Sequence, residues 1–155
     1  AASADLDVND ITAKASAGAL EGAAASGVDA NSVTEGLSAG VIEGAVAANL
    51  DAAALTNAAT ESLIATAIVT GQDVTEITKS ATKGALDAAE VAGIDAGAIG
   101  EASLEGATGA AEAAGLDPAA ITVAVQEAGA DAAEDAADAD NVDVESELQN
   151  DGSAN

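Results

Sequence analysis

The sequence predicts an all-α fold: six antiparallel helices, each one 22-residue unit, in an up-and-down bundle or a stacked helical array. Three observations carry this. A turn tripeptide recurs every 22 residues: Gly27-Val28-Asp29, Asn49-Leu50-Asp51, Gly71-Gln72-Asp73, Gly93-Ile94-Asp95 and Gly115-Leu116-Asp117, with Asp5-Leu6-Asp7 one step earlier. Large aliphatic residues recur in register with those turns. The stretches between them are alanine-rich, and the chain has no aromatic residue and a single proline.

The turn has a physical reading. Gly or Asn just past a helix end supplies the left-handed backbone that a helix stop requires. The apolar middle residue can fold back onto the helix it has left. The aspartate then caps the next helix, its carboxylate accepting from the free N–H groups of the first turn and favouring the positive end of the helix dipole. The predicted caps are Asp7, Asp29, Asp51, Asp73, Asp95 and Asp117. Pro118 follows Asp117 directly, at the first helical position, where a missing N–H does no harm.

Taken in order, residues 1–6 are a short lead-in, and Asp7 opens a helix over 8–26. The next helices fall at 30–48, 52–70, 74–92 and 96–114, and a sixth covers 118–137. Each is about 28 Å long at about 1.5 Å per residue. Short connections make neighbouring helices antiparallel. The repeat domain is thus residues 1–137, and 138–155 is read as an acidic, disordered tail.

Two aliphatic columns mark the buried faces. Four residues after each cap come Ile11, Val33, Leu55, Ile77, Ile99 and Ile121; nine residues further on come Leu20, Ile42, Ile64, Leu86, Thr108 and Ala130. Nine steps of about 100° put the columns on opposite sides, so each middle helix is expected to touch neighbours on two sides. Small residues at i and i+4 (Gly18 and Gly22, Gly40 and Gly44, Gly106 and Ala110) are expected to let helix backbones approach closely. Glutamates 127 and 134 and aspartates 131 and 135, with Thr108 and Ala130 in the second column, give the last repeats a polar outer face.

Charge narrows the function classes. Against 28 acids stand only Lys14, Lys79 and Lys83, a net charge of −25. Yet 49 % of residues are hydrophobic, which with the strict period argues for a folded chain rather than a disordered acidic one. Such a surface fits a halophilic organism, where molar salt cuts the Debye length to about 3 Å. Nucleic-acid binding is excluded for want of phosphate-facing cations. No run of 18 apolar residues suggests a membrane span. With no cysteine the redox compartment is open. No leader is visible and a cytoplasmic setting is expected; the first residue, Ala1, fits a processed terminus or a fragment.

Chemistry has little to work with. Histidine, cysteine, tyrosine and arginine are absent, the Asp column is explained by capping, and Ser80 beside Lys79 points elsewhere on its helix. The chain is therefore read as no enzyme, with no cofactor. Asp138, Asp140, Asp143 and Glu145 set oxygen ligands close together for a divalent cation, but lack the glycine and spacing of an EF-hand loop.

Over residues 7–137 the 22-residue helical period resembles the repeats of exchangeable apolipoproteins and, in its alanine content, the helices of phasins that coat storage granules. The chain departs from both in lacking basic flanks and aromatic anchors, and no residue role carries over. The expected function is a structural or protein-interaction module, with a protein partner or self-association. The alternatives are a coat protein on lipid or polymer granules and an acidic decoy for a basic partner.

Overall fold

A computed structural model describes the backbone of residues 7–150 and the side chains of residues 7–137. Six helices follow one another: α1 (Val8–Ser26), α2 (Ala30–Ala48), α3 (Ala52–Thr70), α4 (Val74–Ala92), α5 (Ala96–Ala113) and α6 (Pro118–Asn150). No strand occurs among the described residues. The five connections share one geometry. Gly27, Asn49, Gly71, Gly93 and Gly115 have φ between 54° and 73°. The following N–H reaches back to the last turn, Val28 to the Ala23 carbonyl, Leu50 to Ala45, Gln72 to Ala67, Ile94 to Ala89 and Leu116 to Ala111. Asn49, the one non-glycine in the left-handed region among the described residues, bends there because its short polar side chain tolerates that backbone.

The sixth helix departs from the expected end near Ala137, its backbone staying helical to Asn150. No glycine or proline falls between Gly129 and Gly152, and Ala, Glu, Leu and Gln favour helix. Side chains beyond residue 137 and residues 151–155 lie outside the described residues. The oxygen cluster at Asp138, Asp140, Asp143 and Glu145 therefore does too.

The packing skips a helix. The densest contacts join α2 to α4, α3 to α5, α1 to α3 and α4 to α6, and consecutive helices touch less. Odd-numbered helices thus form one row and even-numbered helices a second, laid against the first. Among the described residues α1 makes no contact with α4, α5 or α6, so the rows do not close. The arrangement is a stacked array rather than a closed barrel of helices.

One register holds each row together. The Ser62 hydroxyl donates to the Ala13 carbonyl at 2.6 Å. A Cβ added at Gly84 would lie 2.2 Å from the Glu35 carbonyl oxygen, and one at Gly106 would lie 2.5 Å from that of Asn57. Each pair is 49 residues apart, two repeats of 22 plus five. At that point a small residue lets one backbone rest on the helix two before it. Gly18 and Gly40, the same column in α1 and α2, have nothing within 4 Å, nor have Gly22 and Gly44. The close approach predicted for these four glycines is therefore not made, because α1 and α2 have no helix two places earlier.

The rest of the column pattern agrees. Ile11 is 46 % exposed, whereas Leu55, Ile77, Ile99 and Ile121 are 6, 1, 2 and 3 % exposed. The face looking back along each row carries the positions four, eight, eleven and fifteen after the cap, a single helical stripe. On α3 to α6 it is buried at nearly every position; on α1 and α2 it is exposed or half-buried. We call it the rear stripe. The opposite column is fully buried at Leu20, Ile42 and Ile64, half-buried at Leu86 and Thr108, and exposed at Ala130, where the rows end.

Candidate functional site

Each predicted cap sits at a helix start and accepts from the first turn. The N–H of Asn9 donates to Asp7 at 3.0 Å, that of Ala54 to Asp51 at 3.0 Å, and that of Ala119 to Asp117 at 2.9 Å. Asp73 accepts from Thr75 and Glu76, and Asp95 from Gly97 and Ala98. Asp29 accepts from the N–H groups of Asn31 and Ser32 and from the Ser32 hydroxyl. Those bonds, the hydroxyl's foremost, hold the Asp29 carboxyl below its ordinary value of 3.8. The six carboxylates lie at separate helix ends, and the repeat gathers them into no common site.

The structure sets Lys79 and Lys83 of α4 against acids of α6. Lys79 reaches Glu127 at 2.6 Å and, more loosely, Glu76 at 3.8 Å. Lys83 lies between Asp87 at 2.6 Å and Asp135 at 2.7 Å. The Glu127 and Asp135 pairs tie α4 to α6 across the even row. These carboxylates hold both ammonium groups above the ordinary lysine value of 10.5, Glu127 leading for Lys79 and Asp135 for Lys83. A nucleophilic or basic lysine needs the opposite shift. The pairs contribute fully at neutral pH, and that contribution is lost only as pH rises through the elevated folded-state values.

Acid placement is systematic. Every acidic residue from Asp7 to Asp135 is exposed except Asp87, half-buried beside Lys83. Among the described residues no three Asp or Glu side chains converge as metal ligands. A cleft of about 780 Å³ opens between α4, α5 and α6, with Leu86, Ile94, Val125 and Ala132 among its apolar walls. Thr82 borders it with a buried, unpartnered Oγ1.

That hydroxyl belongs to the repeat rather than to the cleft. Ser16, Ser38 and Thr82 all stand nine residues after a cap, and all three are buried without a hydrogen-bond partner. A second hydroxyl column, five after the cap, is buried at Thr34, Thr56 and Thr78. Thr56 and Thr78 donate to the carbonyls of Ala52 and Val74, one turn back. Sequence reasoning missed these core hydroxyls, although their 22-residue recurrence was the signal that could have found them.

The two ends of the array present different surfaces. The last pair ends in Glu101, Glu105, Glu112, Glu127 and Glu134, all exposed. The first pair turns its rear stripes outward: Ile11, Ala15, Gly18 and Gly22 on α1, and Val33, Leu37, Gly40 and Gly44 on α2. Neither stripe carries a charge.

No protein-family model matches the chain, and neither the curated proteins nor the solved structures give a match.

Proposed function

We propose that the chain is a non-enzymatic structural or protein-interaction module adapted to concentrated salt. The observation that carries the reading is the open array. Repeat arrays usually cap their end units with a polar outer face, so an end that keeps the apolar stripe of the inner units is a natural contact surface. Here α1 and α2 present the stripe that α3 to α6 cover. The paired, protonated lysines support the non-enzymatic half, since they are held in the form least suited to attack or proton abstraction.

The exposed acids support the salt half. A charge of −25 on 155 residues repels itself strongly in dilute buffer and weakly where the Debye length is about 3 Å. Helix α3 has the length and mean hydropathy, 1.3, of a membrane-spanning segment. Its Leu55, Leu63, Ile64 and Ala67 fill core positions instead, which favours a packed helix.

The test is affinity capture from a native lysate held in molar KCl. The module reading expects a protein complex of fixed stoichiometry. Co-flotation with phosphatidylcholine vesicles and a gain of helix signal would instead favour a coat protein. Retention on a polycationic resin at physiological salt, with displacement by DNA, would favour a decoy.

A further inference from the structure

We propose that the rear stripes of α1 and α2 are a self-docking surface, through which two copies of the chain join face to face. This deepens the module reading above and rests on it.

The first observation is an unoccupied seat. Inside the molecule the rear stripe is always covered: the equivalents of Gly18 and Gly40 are Ser62, Gly84, Gly106 and Ala128, each facing the helix two before it. Gly84 and Gly106 need their missing Cβ, because a neighbouring carbonyl occupies that space. Gly18, Gly22, Gly40 and Gly44 have no such neighbour. Glycine weakens a helix relative to alanine; Gly36 and Gly109 also stand clear of neighbours, but only here do four such glycines line one face.

The second observation is the exposure of Ile11 and Val8, at 46 and 40 %, beside that face. Ile11's counterparts in α3 to α6 are all buried. The repeat therefore provides the apolar residue that a covered stripe uses and leaves it uncovered only at this end.

Charge then selects the occupant. A chain of net charge −25 can touch its own copy only where acids are sparse. The far end offers Glu101, Glu105, Glu112 and Glu134, and seating those on an apolar stripe would desolvate them without a counter-charge. The rear stripes are uncharged and, unlike the far end, complementary to themselves. A two-fold pairing of identical patches is the commonest form of self-association. The paired glycines let the two α1–α2 layers approach to near backbone contact.

Sedimentation equilibrium in molar KCl tests this, with the full chain. The expected mass is twice the 14.5 kDa of one chain, falling toward one chain as salt is diluted and the like charges are unscreened. Gly40→Leu should give the single-chain mass at every concentration. Its melting point in dilute protein should be unchanged or higher, since nothing in one copy meets the new side chain. That pairing of results separates lost docking from lost folding.

Single cysteines in this cysteine-free chain fix the geometry. Ala47→Cys, at the exposed end of the α2 stripe, should be joined copy to copy by a short bismaleimide. Val123→Cys, exposed on the far end of α6, should not. A single-chain mass for the unaltered protein at all concentrations would overturn the proposal, while leaving the module reading to the lysate capture. Linkage only in a mixture of the two cysteine variants would mean head-to-tail stacking and would overturn it too.

Discussion

Helices α1–α2 and α5–α6 are both end pairs, and each lacks a neighbour on one side, yet they meet water differently. At the far end the second aliphatic column gives way to Thr108 and Ala130, and glutamates line the rim. At the near end the first aliphatic column persists as Ile11 and Val33, and glycines replace side chains. One end is finished by charge; the other keeps the chemistry of an interior surface. The difference teaches that the period alone does not dictate exposure. The same column is core in α4 and surface in α1, because exposure depends on whether a helix lies two places earlier.

The largest contrast should come from truncating that column. Ile77→Ala removes a side chain 1 % exposed and should cost about 3 kcal/mol in thermal or denaturant unfolding. Ile11→Ala, the same change three repeats earlier, should cost well under about 1 kcal/mol in the single copy. Equal losses would show that the near end is as covered as the middle.

The caps come next. Asp51→Ala should cost about 1 kcal/mol, because the N–H of Ala54 loses its acceptor. Asp117→Ala should cost less, since each cap holds one N–H but Pro118 already fixes the first helical φ after Asp117. A null result at Asp51 would mean that the turn is stabilised only by the left-handed backbone at Asn49.

Smaller still is the tie between α4 and α6. Lys83→Met should destabilise by under about 1 kcal/mol in dilute buffer and by almost nothing in molar KCl. Among the described residues no lysine tie joins α1 to α3, so this local loss on adding salt should be confined to the even row, against the general gain from screening the acids. Smallest is the titration of Asp29. Its carboxyl is held low, so its contribution is full above 3.8 and fades as pH falls through the lowered value. The stability gap between the native chain and Asp29→Ala should close below that pH. Melting curves in molar KCl across the acid range measure it.

The helices and their order were legible because every stop has two independent signals, a left-handed Gly or Asn and a capping Asp. Ile77 and Ile64 were legible as core by their columns. The neighbours were not. A helical period gives the angle of a side chain around its own axis, not the identity of the helix it meets. All six units share the same columns, so the sequence does not tell a partner one place away from one two places away. The cross-helix pairs of Lys79 and Lys83 are illegible for this reason: Glu127 and Asp135 lie on α6, beyond any local spacing rule, whereas Asp87 stands within one, four residues after Lys83. Gly18 and Gly40 read as packing glycines because their equivalents are. The end of α6 is not legible, because acid-rich composition suggests a stop where no glycine or proline stands.

Underlying all of this is one register, with each helix resting on the helix two before it at a small residue and the first two seats left open. The most direct measurement is the thermal stability of Gly84→Ala against Gly40→Ala, at protein concentrations low enough to keep single copies. The added methyl at Gly84 meets the Glu35 carbonyl and should destabilise by about 2 kcal/mol. At Gly40 it meets nothing and should stabilise by up to about 1 kcal/mol through helix propensity. Opposite signs are the expected result; the same sign and size at both positions would contradict the register.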